Sequence, residues 1–163
     1  MIPNDSGPGG HPPPPPRPEL PDLAAAHRRG PAAAVEAKWE ALARYWRWMA
    51  EHRRRALRPG GAYPGACALV EAARAVPELR RLYPFTSHLI LKFSSTTTFP
   101  YDVRLPSVEP LAGGRFRVRR HLRGAPVIGE PATPGEALAL VLAHRPAGLG
   151  PAAARPGSRT RGR

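Results

Sequence analysis

The chain has 163 residues, 25 Lys+Arg against 12 Asp+Glu for a formal net charge of +13, 23 prolines, 16 glycines and one cysteine. A single cysteine excludes an internal disulfide. The longest purely apolar run, Ala137 to Ala143, falls far short of the ~20 residues that span a bilayer, and the length suits one domain.

Nine of the prolines fall in residues 1–21. Proline lacks an N–H and fixes φ, so this stretch favours extended chain over packed structure. Few large apolar side chains accompany it, too few to offset the entropy of ordering. Residues 1–31 therefore read as a disordered Pro-rich segment. Its run Pro12 to Pro16 can dock on an aromatic groove of a partner, but a lone run reads first as a stiff linker.

A domain is expected over residues 32–148. Val35, Trp39, Leu42, Trp46 and Met49 recur at spacings of three and four, one apolar stripe of a helix. Gly30-Pro31 starts it and Pro59-Gly60-Gly61 ends it. Arg53, Arg54 and Arg55 suit its last turns, where cations meet the negative end of the helix dipole. Trp48 lies off the stripe and is left to meet another element. A second helix is predicted from Gly65 to Val76, with Leu69, Val70, Ala73 and Val76 inward and Cys67 as a structural thiol. Pro77 then opens a short turn with Leu79 and Leu82 inward.

From Ser87 the period becomes two. Leu89, Leu91 and Phe93 alternate with His88, Ile90, Lys92 and Ser94, which predicts a half-buried strand. Tyr101, Val103 and Leu105 predict a second strand, bounded by Pro100 and Pro106 and hence at an edge. Gly113-Gly114 joins Val108–Leu111 to Arg115–Arg119 as a hairpin with an exposed row of Arg115, Arg117 and Arg119. Arg123-Gly124 turns into a short strand near Val127-Ile128. Thr133-Pro134-Gly135-Glu136 matches a capping box, opening a helix that buries Ala137, Leu138, Val141 and Leu142 and stops at Pro146. Residues 149–163 read as a disordered Arg-rich tail. The fold class is α+β: helices, a small antiparallel sheet of hairpins, and a C-terminal helix on one sheet face.

The chemistry is sparse. His11, His27, His52, His88, His121 and His144 include no helical i, i+4 pair, and one cysteine removes zinc-ribbon patterns, so no metal is expected. No Gly-rich phosphate cradle or dinucleotide fingerprint is present, so no cofactor is expected. Ser87 and His88 invite a Ser–His reading, but neighbours within one strand leave on opposite faces. The candidate binding face is His88, Lys92 and Ser94, with Asp102 able to orient His88 in a suitable register. Glu78, Asp102, Glu109, Glu130 and Glu136 are the only acids in residues 76–148, which argues against paired-carboxylate hydrolysis. All basic residues except Lys38 and Lys92 are arginine, as expected from a genome rich in G and C. The excess charge is spread: near zero over 1–30, +4 over 31–75, +5 over 76–148 and +4 over 149–163. A nucleic-acid footprint is clustered, so that partner is disfavoured. Tyr83, Phe85, Phe93 and Tyr101 read first as core and rim aromatics.

Leu82-Tyr83-Pro84-Phe85-Thr86-Ser87-His88, with Leu91-Lys92-Phe93-Ser94, Phe99-Pro100-Tyr101 and Gly114-Arg115-Phe116-Arg117-Val118, resembles a family of small actinobacterial proteins of unknown molecular activity. These are labelled natural product biosynthesis proteins. The likeness runs on through Glu136–Val141 and His144–Gly148 and covers roughly residues 35–151. It implies a place beside biosynthetic gene clusters and no particular reaction or catalytic residue.

The first expectation is thus a cytoplasmic accessory protein of bacterial natural product biosynthesis that binds a pathway protein, peptide or small product through His88, Lys92 and Ser94, with no membrane partner. A small enzyme with a site around His88 is the second. A polyanion binder using Arg53–Arg55, Arg115–Arg120 and the Arg tail is the third.

Overall fold

The computed structural model describes residue 13 and residues 15–56, 65–120 and 124–156, with no account of the side chains of 53–56. The Pro59-Gly60-Gly61 stop, the Arg53–Arg55 side chains, His11, His121, Arg123, residues 157–163 and, of the proline run, Pro12 and Pro14 lie outside that description.

The described chain runs α1 Leu23–Arg29, α2 Pro31–Ala56, α3 Ala66–Ala75, α4 Pro77–Arg80, β1 Tyr83–Ser87, β2 Ile90–Ser94, β3 Ser107–Pro110, β4 Phe116–Arg119, β5 Val127–Gly129 and α5 Pro134–Ala143. The strands form one antiparallel meander in chain order. The fold is α+β, as the hydropathy pattern predicts.

The pleat sorts the sheet into two faces. Leu91 pairs with Val108 and Val108 with Val118, while Phe93 lies opposite Pro84. This face is the core, and Leu91, Phe93, Val108, Phe116 and Val118 are all buried. The stripe of α2 meets it through Trp39, whose ring lies 6.3 Å from Phe93. The other face carries Tyr83, Phe85 and Lys92, and further along the Glu109–Arg117 pair.

Trp39 is wholly buried. Its indole N–H donates to the carbonyls of Arg80 at 3.0 Å and Leu82 at 3.1 Å, where α4 passes into β1. Arg80 and Arg74 reinforce the packing from outside, meeting Glu36 and Glu40 of α2. α5 begins with the predicted capping box: Thr133 Oγ1 accepts from Glu136 N, and the Glu136 carboxylate accepts from Thr133 N.

Three expectations need correction. The strand expected to run on from Ser87 is interrupted by a tight turn. His88 (φ 49) and Leu89 (φ 73) sit in left-handed backbone between β1 and β2, the geometry that two-residue hairpins demand and few side chains favour. The strand expected over Tyr101–Leu105 is reduced to one bridge between Ser94 and Val103, because Pro100 and Pro106 at its borders cannot donate to a ladder.

The segments set aside as disordered also divide. Asp22 caps α1 by accepting from Ala25 N at 2.9 Å. Gly30, at φ 116, turns the chain back so that α1 lies on α2 with Ala26 fully buried. At the other end Ala152 is buried, and Ala153 accepts from Thr97 N and donates to Ser95 O. The ordered domain therefore extends past 32–148 in both directions. Short alanine-rich segments gain order by docking on a finished surface, which local composition does not reveal.

Trp39→Phe keeps a ring in the core but leaves two buried carbonyls short of a donor. We expect a loss of about 2–4 kcal/mol, read as a lower urea midpoint at unchanged m-value.

Candidate functional site

The residues proposed from sequence do not share one surface. His88 is exposed at the tip of the β1–β2 hairpin. Lys92 is half-buried on the outer face, opposite Phe85. Ser94 is fully buried at the far end of β2, four strand steps or about 13 Å from the tip. Its hydroxyl donates to Thr96 O at 2.7 Å and accepts from the backbone N–H of Thr96 and of Asp102. Ser94 thus holds a loop rather than facing a ligand.

The turn also revises the Ser–His argument. With His88 outside the strand, its Nδ1 comes within 3.4 Å of Ser87 Oγ. Asp102 cannot orient it from the opposite end of the hairpin. The Asp102 Oδ2 accepts instead from Ser95 Oγ at 2.7 Å and Arg104 Nε at 2.8 Å. Two members of the arginine row of the next hairpin, Arg115 and Arg117, are tied down too. Arg117 Nε meets Glu130 at 2.6 Å and Arg115 donates to Glu130 O. No group of three or more His, Cys, Asp or Glu among the described residues is placed to hold a metal ion. No described helix is long and apolar enough to cross a membrane.

A different place gathers chemistry. His27 and Arg28 of α1, Pro31 at the start of α2, Thr97 and Thr98 of the loop after β2, and Ala154 line a cleft of about 290 Å³. That is near the lower end of the range for small-ligand sites. A web of hydrogen bonds holds the loop wall. Ser94 and Thr96 knit its base, Thr96 Oγ1 donates to Thr98 O at 3.3 Å, and Arg155 donates to Pro100 O at 3.0 Å.

An aromatic array adjoins the cleft. Phe85 and Tyr101 are 4.6 Å apart, Tyr83 and Tyr101 5.7 Å, and Phe99 and Tyr101 6.0 Å. Phe93 belongs to the core, whereas Phe85 and Tyr101 are half-buried. Phe99 is 82% exposed. His27 joins the array to the cleft, with Nε2 3.4 Å from the Tyr83 hydroxyl. Lys38 of α2 places its ammonium 5.6 Å from the Tyr83 ring centroid. Burial lowers the pKa of Lys38. Burial, then the neighbouring Tyr101 phenol, pushes Tyr83 up to about 12.

A family model matches residues 33–156, well over half of the chain, and describes a family of unknown function, DUF6193. The chain belongs to this family. No curated protein and no solved structure matches it. The DUF6193 match takes in the sheet, the aromatic array and the Thr97–Thr98 wall, but begins after His27, Arg28 and Pro31. The cationic wall of the cleft stands on chain that precedes the DUF6193 match.

Sequence reasoning missed His27, Arg28, Thr97, Thr98, Phe99 and Ala154. Asp22 and Gly30, one before and one after Leu23–Arg29, were a readable pair of caps for α1. Nothing local marks Ala154.

The raised Tyr83 pKa fixes a pH window. The neutral phenol is favoured by folding, so its contribution is full below pH 10.0, the ordinary value, and is lost as pH climbs through about 12. An alkaline titration of the tyrosinate absorbance should show one late step near 12, and Tyr83→Phe should remove it. Complete ionisation of all tyrosines before that step would contradict the burial of this hydroxyl.

Proposed function

We propose that this chain is a non-catalytic accessory protein of bacterial natural product biosynthesis that binds a small pathway product at the aromatic array and its adjoining cleft. The pathway setting is supported by the likeness of the Leu82–His88 segment and its companions to proteins of that label. The binding role is supported by one observation above all. Phe99 stands 82% exposed on a loop pinned by the Thr96 hydroxyl and the Arg155 guanidinium, in contact range of Tyr101.

A large apolar side chain held in water gains from being covered. Phe99, with half-buried Phe85 and Tyr101, offers ring faces for a planar ligand, while Tyr83 is buried beneath them. His27 and Arg28 supply hydrogen-bond donors to an acidic group, and Thr97 and Thr98 supply hydroxyls. The ligand class is therefore a flat, ring-bearing acid. The His88 hairpin tip supports an enzyme less well, since its Ser–His pair is exposed and Asp102 is committed elsewhere.

A panel of aromatic carboxylic acids and their methyl esters, followed by ligand-observed NMR, tests this reading. Acids should bind and esters should not. Phe99→Ala should weaken binding about tenfold, and Arg28→Ala by at least about tenfold through loss of a charge-assisted hydrogen bond. Equal binding of acid and ester, or affinity unchanged in both variants, would overturn it.

A further inference from the structure

Trp48 does not face the core that Trp39 and Trp46 enter. It lies on the outer side of α2 with Tyr45, 6.2 Å away, and with His52, which stacks on it at 5.2 Å and 13°. The proline segment crosses this surface. Trp48 Nε1 donates to Pro15 O at 3.0 Å, 33 residues away in sequence. Arg17 sets its guanidinium carbon 5.6 Å from the Trp48 ring centroid. Arg44, also on α2, donates to Glu19 O at 2.8 Å. Pro15 and Pro18 are partly buried while Pro16 is exposed.

These contacts read a particular chemistry. An indole N–H aimed at a carbonyl that precedes a proline, with aromatic rings beside it, is a common way to hold a polyproline strand. Such a strand is stiff before it binds, so little entropy is lost on docking. The guanidinium over the indole adds a cation–π contact and a preference for a cationic side chain, arginine above lysine. The segment Pro15-Pro16-Arg17-Pro18 meets each of these demands.

We infer that the Tyr45–Trp48–His52 face of α2 is a recognition surface for arginine-bearing polyproline segments of another protein, and that Pro15–Pro18 is a built-in competitor occupying it. Attachment through a short link to α1 gives the strap a high effective concentration. A foreign segment binds when it displaces the strap, and the strap sets the threshold. This surface lies on a different side chain set from the cleft at His27 and Arg28, and either assignment can fail alone.

The test uses the full chain and a peptide with the sequence of residues 12–20. It compares wild type with a full-length variant carrying Pro15→Gly, Pro16→Gly and Arg17→Ala, which weakens the strap at positions on the surface. The readout is the indole N–H resonance of Trp48, identified by its absence in Trp48→Phe. The peptide should shift this resonance in the variant with an affinity at least about tenfold above that for wild type. Adding Trp48→Phe to the variant should lower peptide affinity, read from the His52 ring signals, at least about fivefold. Equal affinity in wild type and variant would overturn the competitor role. No shift in the variant at millimolar peptide would overturn the recognition surface. Wild type that dimerises by exchanging straps, seen by light scattering, would overturn the foreign partner in favour of a second copy.

Discussion

One indole N–H organises the molecule. Trp39 sits sealed between α2 and the sheet, and a buried donor must be satisfied. It finds two carbonyls at the single point where the helical half of the chain turns into β1. That fixes the height and rotation of α2 over the hairpin. Lys38, the preceding residue, is thereby carried to the ring of Tyr83, and α1, folded back on α2 by Gly30, brings His27 to the hydroxyl of the same tyrosine. The electrostatic setting of the outer aromatic array follows from a bond made inside.

The loop after β2 supplies the other half of the arrangement. Four side chains in the span 94–102, those of Ser94, Ser95, Thr96 and Asp102, bond to each other and to the backbone. These polar contacts add to the packing of Tyr101 on Phe85 and Tyr83, and they satisfy buried polar atoms that would be costly without partners. The segment near Ala153 completes it as a short parallel bridge to Thr96. What results is a rigid shelf that carries Phe99 outward, where an ordinary loop would let the ring fold down.

Periodic burial was the legible part. The α2 stripe, the α3 face, the hairpin around Gly113-Gly114 and the capped α5 each repeat a pattern over enough residues to be read locally. Ser94 shows the limit. Alternation correctly puts it on the outer face with Lys92, yet a loop from eight residues later closes over that end of the strand and leaves it at 0% exposure. His88 shows another. Its polar character fits a strand face as well as a turn, and only the pairing of Ser87 with Ile90 distinguishes them. The cleft was illegible because its walls come from three regions far apart in sequence, two of them in segments whose composition argues for disorder. Such segments acquire structure from the surface that receives them, and one-dimensional pattern holds no record of that surface.

The gathering of His27, Arg28 and Ala154 around Thr97 bears on how the protein is handled in the laboratory. A fragment trimmed to residues 32–148, the limits that hydropathy suggests, keeps the meander and its helical cover but discards both flanking walls in one cut. Crystals or assays of such a fragment report on a scaffold stripped of its pocket, and a bulky affinity handle fused close to either docked end crowds the same opening.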